Sequence, residues 1–294
     1  MKIFITGSSG FIGLHLSKKL LEKGHIVRGF DSMNTYYDVN LKKSRYQILK
    51  KYRNFSFTKG KLENQQILRK SILRFKPKII IHLAAQAGVR YSIKNPRTYL
   101  DSNIIGTYNI IEFAKKANVK HLLIASSSSV YGSNKKIPFK ETDKTDSQLS
   151  IYAATKKSTE SLAHSYSNLW KLPITVMRFF TVYGPWGRPD MAYFKFTKKI
   201  ISGKKIDIYN NGKMYRDYTY IDDIVDGVCK LLNKTPPLKF KNSNSSSAAP
   251  FRILNIGNTK KVYLLDFINT LEKIIGLKAK KNYMPMQKGD VKMT

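Results

Sequence analysis

Three glycines in the turn between a predicted strand and a predicted helix constrain this chain more than any other feature. Residues 2–6 are a short apolar run typical of a β-strand, and residues 11–23 repeat apolar side chains at helical spacing. Between them, Gly7, Gly10 and Gly13 follow the pattern Gly-x-x-Gly-x-x-Gly. Glycines here let the backbone turn tightly and approach a pyrophosphate, which the helix N-terminus also attracts. The opening of the chain therefore predicts a dinucleotide-binding α/β fold.

Further strands alternate with helices up to residue 178. We predict strands at 25–30, 55–58, 78–83, 121–126 and 174–178, and helices that include 96–117 and 151–170. This alternation indicates a doubly wound parallel Rossmann sheet. The pattern then loosens into a stretch rich in glycine and proline, and 234–250 reads as a surface loop. We expect a cofactor-binding domain at 1–180, to which the chain returns around 220–257, and a smaller C-terminal substrate-binding domain, mainly 181–294.

Polar residues end two of the predicted strands. Asp31 lies 18 residues beyond Gly13. A carboxylate there can accept hydrogen bonds from a ribose and repels a 2′-phosphate, which favours NAD over NADP; a turn or helix cap is the alternative. The serine run 126–129 ends the strand before helix 151–170, where a hydroxyl can bind a sugar oxygen. A flexible turn is the alternative for the serine run.

Tyr152 and Lys156 lie four residues apart on the predicted helix 151–170, so they share one face. An ammonium close to a phenol favours the phenolate and lowers the tyrosine pKa, which makes the tyrosine a usable base near neutral pH. Beside a bound nicotinamide, such a base can take the proton of an alcohol while the cofactor takes the hydride. The same spacing arises by chance on solvated helices, so the pair gains weight only together with the glycine turn.

The composition excludes several classes of protein. The chain of 294 residues carries 53 Lys and Arg against 19 Asp and Glu, a formal charge of +34. Such a charge favours polyanion binding, but the lysines are scattered and no nucleic-acid-binding motif is present, so we expect non-specific, salt-sensitive adhesion rather than a specific nucleic-acid partner. One cysteine excludes a disulfide framework and a cysteine-cluster metal site, and we expect no metal. No apolar run is long enough for a membrane span, so we expect a cytoplasmic protein.

Several longer strings resemble a known family. They are HLAAQAGVRYS (82–92), SSSSVYG (126–132), RFFTVYGPWGRPDM (178–191) and RDYTYIDD (216–223). Together with the glycine turn and the Ser–Tyr–Lys set, they resemble the extended short-chain dehydrogenase/reductases, and within that group the UDP-glucuronate 4-epimerases. The resemblance implies tightly bound NAD, a UDP-hexuronate substrate, a homodimer, and a place in capsule or lipopolysaccharide biosynthesis. It also implies an isomerase that oxidises C4 transiently and returns the hydride to the opposite face, giving UDP-galacturonate.

The same resemblance assigns roles to individual residues. Tyr152 is the catalytic base, Lys156 holds the nicotinamide ribose, and Ser127 supports the 4-oxygen. The cofactor residues it implies are Gly7, Ser9, Gly10, Phe11, Ile12, Gly13, Asp31, Leu83, Ala84, Ala85, Asn103, Ser126, Tyr152 and Lys156. The substrate residues it implies are Arg90, Ser127, Ser128, Thr181, Arg188, Met191, Arg216, Gln287 and Asp290. A surface ion pair with Asp217 or Asp222 is the alternative role for Arg216.

Two departures from the family pattern and several alternative functions accompany this interpretation. Decarboxylases and dehydratases of the same group carry acidic residues after the catalytic Ser or Thr, whereas Ser128 and Ser129 follow here, which favours epimerisation. Lys61 stands where the family usually has an aspartate that accepts from the adenine amino group. The chain ends at Thr294, so we expect an incomplete substrate domain. The alternative functions are another UDP-sugar epimerase or a decarboxylase, or a non-catalytic NAD- or polyanion-binding protein.

Overall fold

A computed structural model describes residues 1–238 and 246–294, so residues 239–245 of the predicted loop 234–250 lie outside the described residues. The strands are β1 Lys2–Thr6, β2 Ile26–Asp31, β3 Phe55–Lys59, β4 Ile79–His82, β5 His121–Ser127, β6 Ile174–Phe179, β7 Thr181–Tyr183, β8 Ile206–Ile208, β9 Tyr215–Tyr220, β10 Phe251–Ile256, β11 Lys261–Tyr263 and β12 Lys281–Tyr283. The helices are α1 Phe11–Glu22, α2 Val39–Lys50, α3 Gln65–Phe75, α4 Val89–Lys94, α5 Pro96–Tyr99, α6 Gly106–Lys116, α7 Ile151–Trp170, α8 Ala192–Ile201, α9 Ile221–Leu231 and α10 Leu264–Ile275.

Seven parallel strands form the central sheet, in the order β10-β6-β5-β4-β1-β2-β3. The predicted doubly wound parallel sheet is thus confirmed, and each predicted strand matches an observed one to within about a residue at either end. The strand order reverses between β1 and β4, which opens a crevice at the carboxyl ends of these strands. Separate apolar clusters cover the two faces, one including α1 and α9 and the other α3 and α6.

The predicted helix over 96–117 is confirmed as a continuous helical run, but it contains a π-helical turn that the sequence analysis did not predict. The structure has the short α5, then a π-helical turn at Leu100–Ile105, then α6. Within the turn lies Asn103, whose buried amide bonds to two other segments. A π-turn inserts one extra residue per turn and commonly marks a functional site, and helical periodicity does not reveal it.

Helix α7 begins where the sequence predicted, because Ser150 caps it. The Ser150 side chain accepts a hydrogen bond from the Ala153 amide at 3.1 Å. This fixed start places Tyr152 in the first turn and Lys156 one turn later, against the end of β5.

Most strands after β6 pack outside the central sheet. They form a three-stranded sheet, β11-β9-β7, and a pair, β12-β8, beside a small apolar cluster that includes Ile200 and Ile268. Strand β10 is the exception, because it lies beside β6 at the edge of the central sheet. The division of the chain into two domains stays a prediction. None of the helices in the described residues is both long and apolar enough to cross a membrane.

Candidate active site

A cavity of about 370 Å³ lies at the carboxyl ends of the central strands. Of the predicted site residues, it is lined by Gly7, Gly10, Phe11, Ile12, Gly13, Asp31, Leu83, Ala84, Ala85, Ser126, Ser127, Tyr152, Lys156, Arg188 and Met191. Residues predicted from separate strings of sequence therefore meet in one crevice, at the strand-order reversal where open α/β sheets bind ligands.

The glycine turn fits a pyrophosphate. A Cβ added to Gly13 would lie 2.0 Å from the Gly7 carbonyl oxygen, and one added to Gly7 would lie 2.9 Å from the Ala84 nitrogen. Side chains at these positions would collide with the backbone, so this close packing of the turn requires glycine. Helix α1 starts at this turn with Gly10 as its cap and no capping side chain, so its N-terminal N–H groups can meet an anion.

Asp31 is held rigidly beside this turn. Its carboxylate accepts hydrogen bonds from the amides of Ser9 at 3.0 Å and Met33 at 2.9 Å. Burial raises the pKa of Asp31 above its ordinary value, and these two hydrogen bonds oppose the rise. Ser9 itself does not line the cavity. The Ser9 amide thus orients Asp31, and a direct cofactor contact of Ser9 stays a prediction.

Tyr152 and Lys156 share one wall of the cavity, next to Ser127. The Lys156 ammonium is buried and donates to the Ala125 carbonyl at 2.8 Å, and burial lowers its pKa to about 8. Burial raises the pKa of Tyr152, whereas the Ser127 hydroxyl and the Arg188 guanidinium lower it. The predicted cause was therefore wrong for this structure, because the ammonium of Lys156 points to a backbone carbonyl and Arg188 supplies the nearby positive charge.

A buried network lies between α7 and the sheet. The Arg178 guanidinium donates to both carboxylate oxygens of Glu160, at 3.0 and 2.8 Å, and the Ser126 hydroxyl donates to Glu160 at 2.6 Å. Glu160 also raises the pKa of Lys156, against the larger effect of burial. The network fixes α7, with its two candidate catalytic side chains, against the ends of β5 and β6.

Asn103 lies behind the cavity wall. Its side chain accepts from the Gln86 amide at 2.8 Å and donates to the Gln86 carbonyl and the Thr155 hydroxyl, both at 3.0 Å. The amide group thus already has three protein partners, and Asn103 does not line the cavity. Asn103 joins the loop after β4 to helix α7, and its role toward the cofactor stays a prediction.

On the substrate side, Arg188 faces the cavity as part of an ion pair. Its guanidinium donates to the two oxygens of Asp190, at 3.0 and 2.5 Å, and the Tyr36 hydroxyl donates to Asp190 at 3.1 Å. Burial alone would raise the pKa of Asp190, but the Arg188 charge outweighs this and keeps the pKa below its ordinary value. The Arg188 side chain is only partly covered and borders the cavity.

A second cavity, of about 90 Å³, lies beyond the serine run. It brings together the predicted substrate residues Ser128, Thr181, Arg216 and Asp290. The Arg216 guanidinium lies 3.6 Å from Asp290 and also donates to the Tyr215 carbonyl at 2.8 Å. The alternative partners expected for Arg216 were wrong, and the carboxylate of one of them, Asp217, instead accepts from Thr219 at 2.9 Å.

Two predicted substrate residues line neither cavity. Arg90 is exposed, and its guanidinium lies 4.6 Å from the ring centre of Tyr209. Gln287 has a buried side-chain oxygen without a hydrogen-bond partner among the described residues. Both lie near the second cavity, since the Arg90 charge acts on Arg216 and the Gln287 carbonyl accepts from the Asp290 amide, and their substrate roles stay predictions.

Sequence reasoning missed part of the cofactor end of the cavity. Tyr36, Tyr37 and Lys42 line it, and the Lys42 ammonium donates to the Asn34 carbonyl at 2.7 Å. These residues follow the carboxyl end of β2, where ligands lie in such sheets, so their position after Asp31 was an available signal.

Lys61 also lines the cavity, with most of its side chain exposed. The Glu63 carboxylate, which lines the same cavity, lies 3.9 Å from the Lys61 ammonium. The departure at Lys61 thus leaves a carboxylate nearby, two residues further along the chain.

Comparison with known proteins identifies close relatives. The model of the NAD dependent epimerase/dehydratase family matches residues 3–242. The chain is 53% identical to Protein CapI of Staphylococcus aureus and 50% identical to a probable UDP-glucuronate 4-epimerase of Rhizobium meliloti, covering all of this chain and 89% and 88% of those proteins. The fold matches a crystal structure of UDP-glucuronic acid 4-epimerase from Bacillus cereus in complex with UDP-glucuronic acid and NAD, with a TM-score of 0.89 and 35% identity, over all of this chain and 89% of that one.

Proposed function

The chain belongs to the NAD dependent epimerase/dehydratase family, and from this premise we propose that it converts UDP-glucuronate to UDP-galacturonate by transient oxidation at C4. One observation carries the proposal: Ser127, Tyr152 and Lys156 meet the glycine turn and Arg188 in a single cavity. Oxidation of a hexuronate alcohol requires a base, a dinucleotide site and a cation beside the cavity, and all three are present. The activity is therefore that of an isomerase.

The residues at the glycine turn and Asp31 would hold NAD, which when bound supplies a reversible acceptor for the C4 hydride. Tyr152 takes the proton of the 4-hydroxyl group, and Ser127 orients that oxygen. Arg188 supplies the positive charge that stabilises the phenolate, and Lys156 would hold the nicotinamide ribose. After the 4-keto sugar turns over in the cavity, C4 would take the hydride back on its opposite face while Tyr152 returns the proton to the 4-oxygen, so that the configuration at C4 is inverted with no net oxidation.

Anion recognition falls to the arginines. Arg188 offers a planar fork to the hexuronate carboxylate, with Thr181 in the neighbouring cavity. Arg216 is suited to the diphosphate, and Asp290 to the uridine ribose. The side chains after Ser127 are the hydroxyls of Ser128 and Ser129 and not carboxylates, which favours epimerisation over decarboxylation.

Product analysis tests this function. Purified protein incubated with UDP-glucuronate, with and without added NAD, should yield UDP-galacturonate and no net NADH. UDP-pentose products would identify a decarboxylase instead. Replacing Tyr152 with Phe removes the base while conserving the ring, and we expect kcat to fall by about 10²–10⁴-fold with NAD binding retained. A nearly unchanged rate in this variant would refute the assignment of Tyr152.

The assembly and location proposed here are a cytoplasmic homodimer that supplies capsule or lipopolysaccharide precursors, without a specific nucleic-acid or membrane partner. The apolar side chains exposed on the π-turn, α6 and α7 support a dimer. They include Leu100, Ile105, Tyr108, Leu169 and Trp170. Light scattering of the protein, alone and with Trp170 replaced by Glu, should give a dimer and a monomer; a monomer in both cases would contradict the dimer.

A further inference from the structure

We propose that Arg45 is a positioning residue that ties the substrate loop, residues 184–191, to the glycine turn of the cofactor site. Arg45 lies on α2 and is completely buried. Its guanidinium donates to the Trp186 carbonyl at 2.6 Å and the Gly187 carbonyl at 3.1 Å. The same group donates to the Ser9 carbonyl of the glycine turn at 3.3 Å and to the Tyr37 hydroxyl at 2.7 Å.

The substrate loop needs such a restraint. Trp186 has a φ of 59°, a conformation that non-glycine residues rarely adopt, and a backbone of this kind persists only when its surroundings fix it. Packing of its own side chain supplies only part of that restraint, because Trp186 is 41% exposed. Contacts from the cofactor side add to it, since the imidazole of His15 on α1 also lies 2.9 Å from the Pro185 carbonyl.

The chemistry at this point requires an arginine. All four acceptors of Arg45 are neutral oxygen atoms, from three separate segments of the chain. A buried charge is costly unless it is well hydrogen-bonded. Only a guanidinium carries enough donors in a fixed fork to serve four acceptors, whereas an ammonium has three.

The consequence concerns Arg188, which follows Gly187 directly. The direction of the Arg188 side chain into the cavity depends on the backbone that Arg45 fixes. Arg45 thus connects the cofactor turn to the recognition of the hexuronate carboxylate, and in this respect the inference rests on the proposed function. The restraint of the substrate loop by Arg45 does not depend on the proposed function.

The test is Arg45→Lys with Arg28→Lys as the matched control. Arg28 donates to Ser56 at 3.0 Å and to the Ser71 carbonyl at 3.4 Å, away from the substrate loop. We expect Arg45→Lys to raise the KM for UDP-glucuronate about 10-fold with kcat within about 3-fold, the signature of lost binding rather than lost chemistry. Binding of UDP, which lacks the carboxylate, should be unchanged, and amide hydrogen exchange over 184–191 should be faster. Arg28→Lys should show none of these changes.

Two results with Arg45→Lys would contradict the proposal. Unchanged exchange over 184–191 in Arg45→Lys would overturn the proposal, as would equal weakening of UDP and UDP-glucuronate, which would indicate general destabilisation. If Arg45→Lys does not fold, His15→Ala probes the same loop from α1 and should raise the KM about 3-fold. If the wild-type protein does not epimerise UDP-glucuronate, the proposed function fails, and the exchange and UDP-glucuronate binding data still test the role of Arg45.

Discussion

The two sides of the catalytic helix α7 use arginine–carboxylate pairs differently. Between α7 and the sheet, Arg178 and Glu160 bond through two contacts, and each side chain is 2% exposed. On the substrate side, the Arg188 and Asp190 side chains are 24% and 22% exposed, and those of Arg216 and Asp290 are 20% and 23% exposed. The first pair is closed to ligands, and the other two border the cavities.

The difference in burial distinguishes charged pairs that hold the fold together from charged pairs that are available to a ligand. A fully buried pair cannot exchange partners, and removal of one member leaves an uncompensated charge in a low dielectric. A partly exposed pair contributes little to stability, and a substrate anion can replace its carboxylate. Burial thus indicates which arginines hold the fold and which are available to bind UDP-hexuronate.

The largest effect is expected from Arg178→Met. It leaves the Glu160 carboxylate buried without its guanidinium, so the free energy of unfolding should fall by about 3–5 kcal/mol. Urea denaturation measures this loss. The double variant with Glu160→Leu removes both charges and should recover most of the stability. If Arg178→Met lowers the free energy of unfolding by less than about 1 kcal/mol, as is usual for exposed pairs, the proposed difference between the two regions is wrong.

The pH dependence of stability tests the same buried region through Lys156. Its pKa is lowered from 10.5 to about 8 in the folded protein, so the unfolded chain binds more protons between these two values. The free energy of unfolding should therefore rise with pH over this window, by about 3 kcal/mol for this group. Turnover should fall over the same window, because the charge on Lys156 is lost. Denaturation from pH 7 to 10.5 checks this, and Lys156→Met should lack the rise; a rise of equal size in that variant would assign it to another group.

Arg188→Met should affect binding rather than stability. Loss of a charge-assisted contact to the hexuronate carboxylate should weaken UDP-glucuronate binding by about 10–100-fold, equivalent to about 1.5–3 kcal/mol. The free energy of unfolding should change by less than about 1 kcal/mol. Calorimetric titration with UDP serves as the control, since UDP lacks the carboxylate. Equal loss of affinity for both ligands would contradict the carboxylate role.

Arg216→Met should have the smallest of these effects and a different ligand profile. Arg216 is proposed to bind the diphosphate, so UDP and UDP-glucuronate should both bind about 10-fold more weakly. Parallel titrations of the Arg188 and Arg216 variants assign each open pair to one part of the substrate. If the Arg216 variant discriminates between the two ligands, the assignment to the diphosphate is wrong.

The cofactor side could be predicted from sequence because its signals are local. The glycine spacing, the apolar strands and the start of α7 each depend on residues close together in the chain. They gave the parallel sheet and placed Asp31, Tyr152 and Lys156 at its carboxyl edge.

The partners of charged side chains could not be predicted in the same way. Arg178 meets Glu160, Arg45 meets the carbonyls of Trp186 and Gly187, and Arg216 meets Asp290 only because distant segments pack together. No spacing in the sequence encodes such contacts. For the same reason sequence reasoning assigned the wrong cause to the Tyr152 pKa, which depends on burial, on the Ser127 hydroxyl and on Arg188.

The most direct test of the central claim, transient oxidation at C4, follows a deuterium label. UDP-glucuronate carrying deuterium at C4 should give UDP-galacturonate that retains the deuterium at C4, because the hydride leaves and returns within one cavity. Nuclear magnetic resonance of the product reads both the configuration and the label. Loss of the deuterium to solvent, or formation of no galacturonate, would contradict the mechanism proposed for Tyr152 and its cavity.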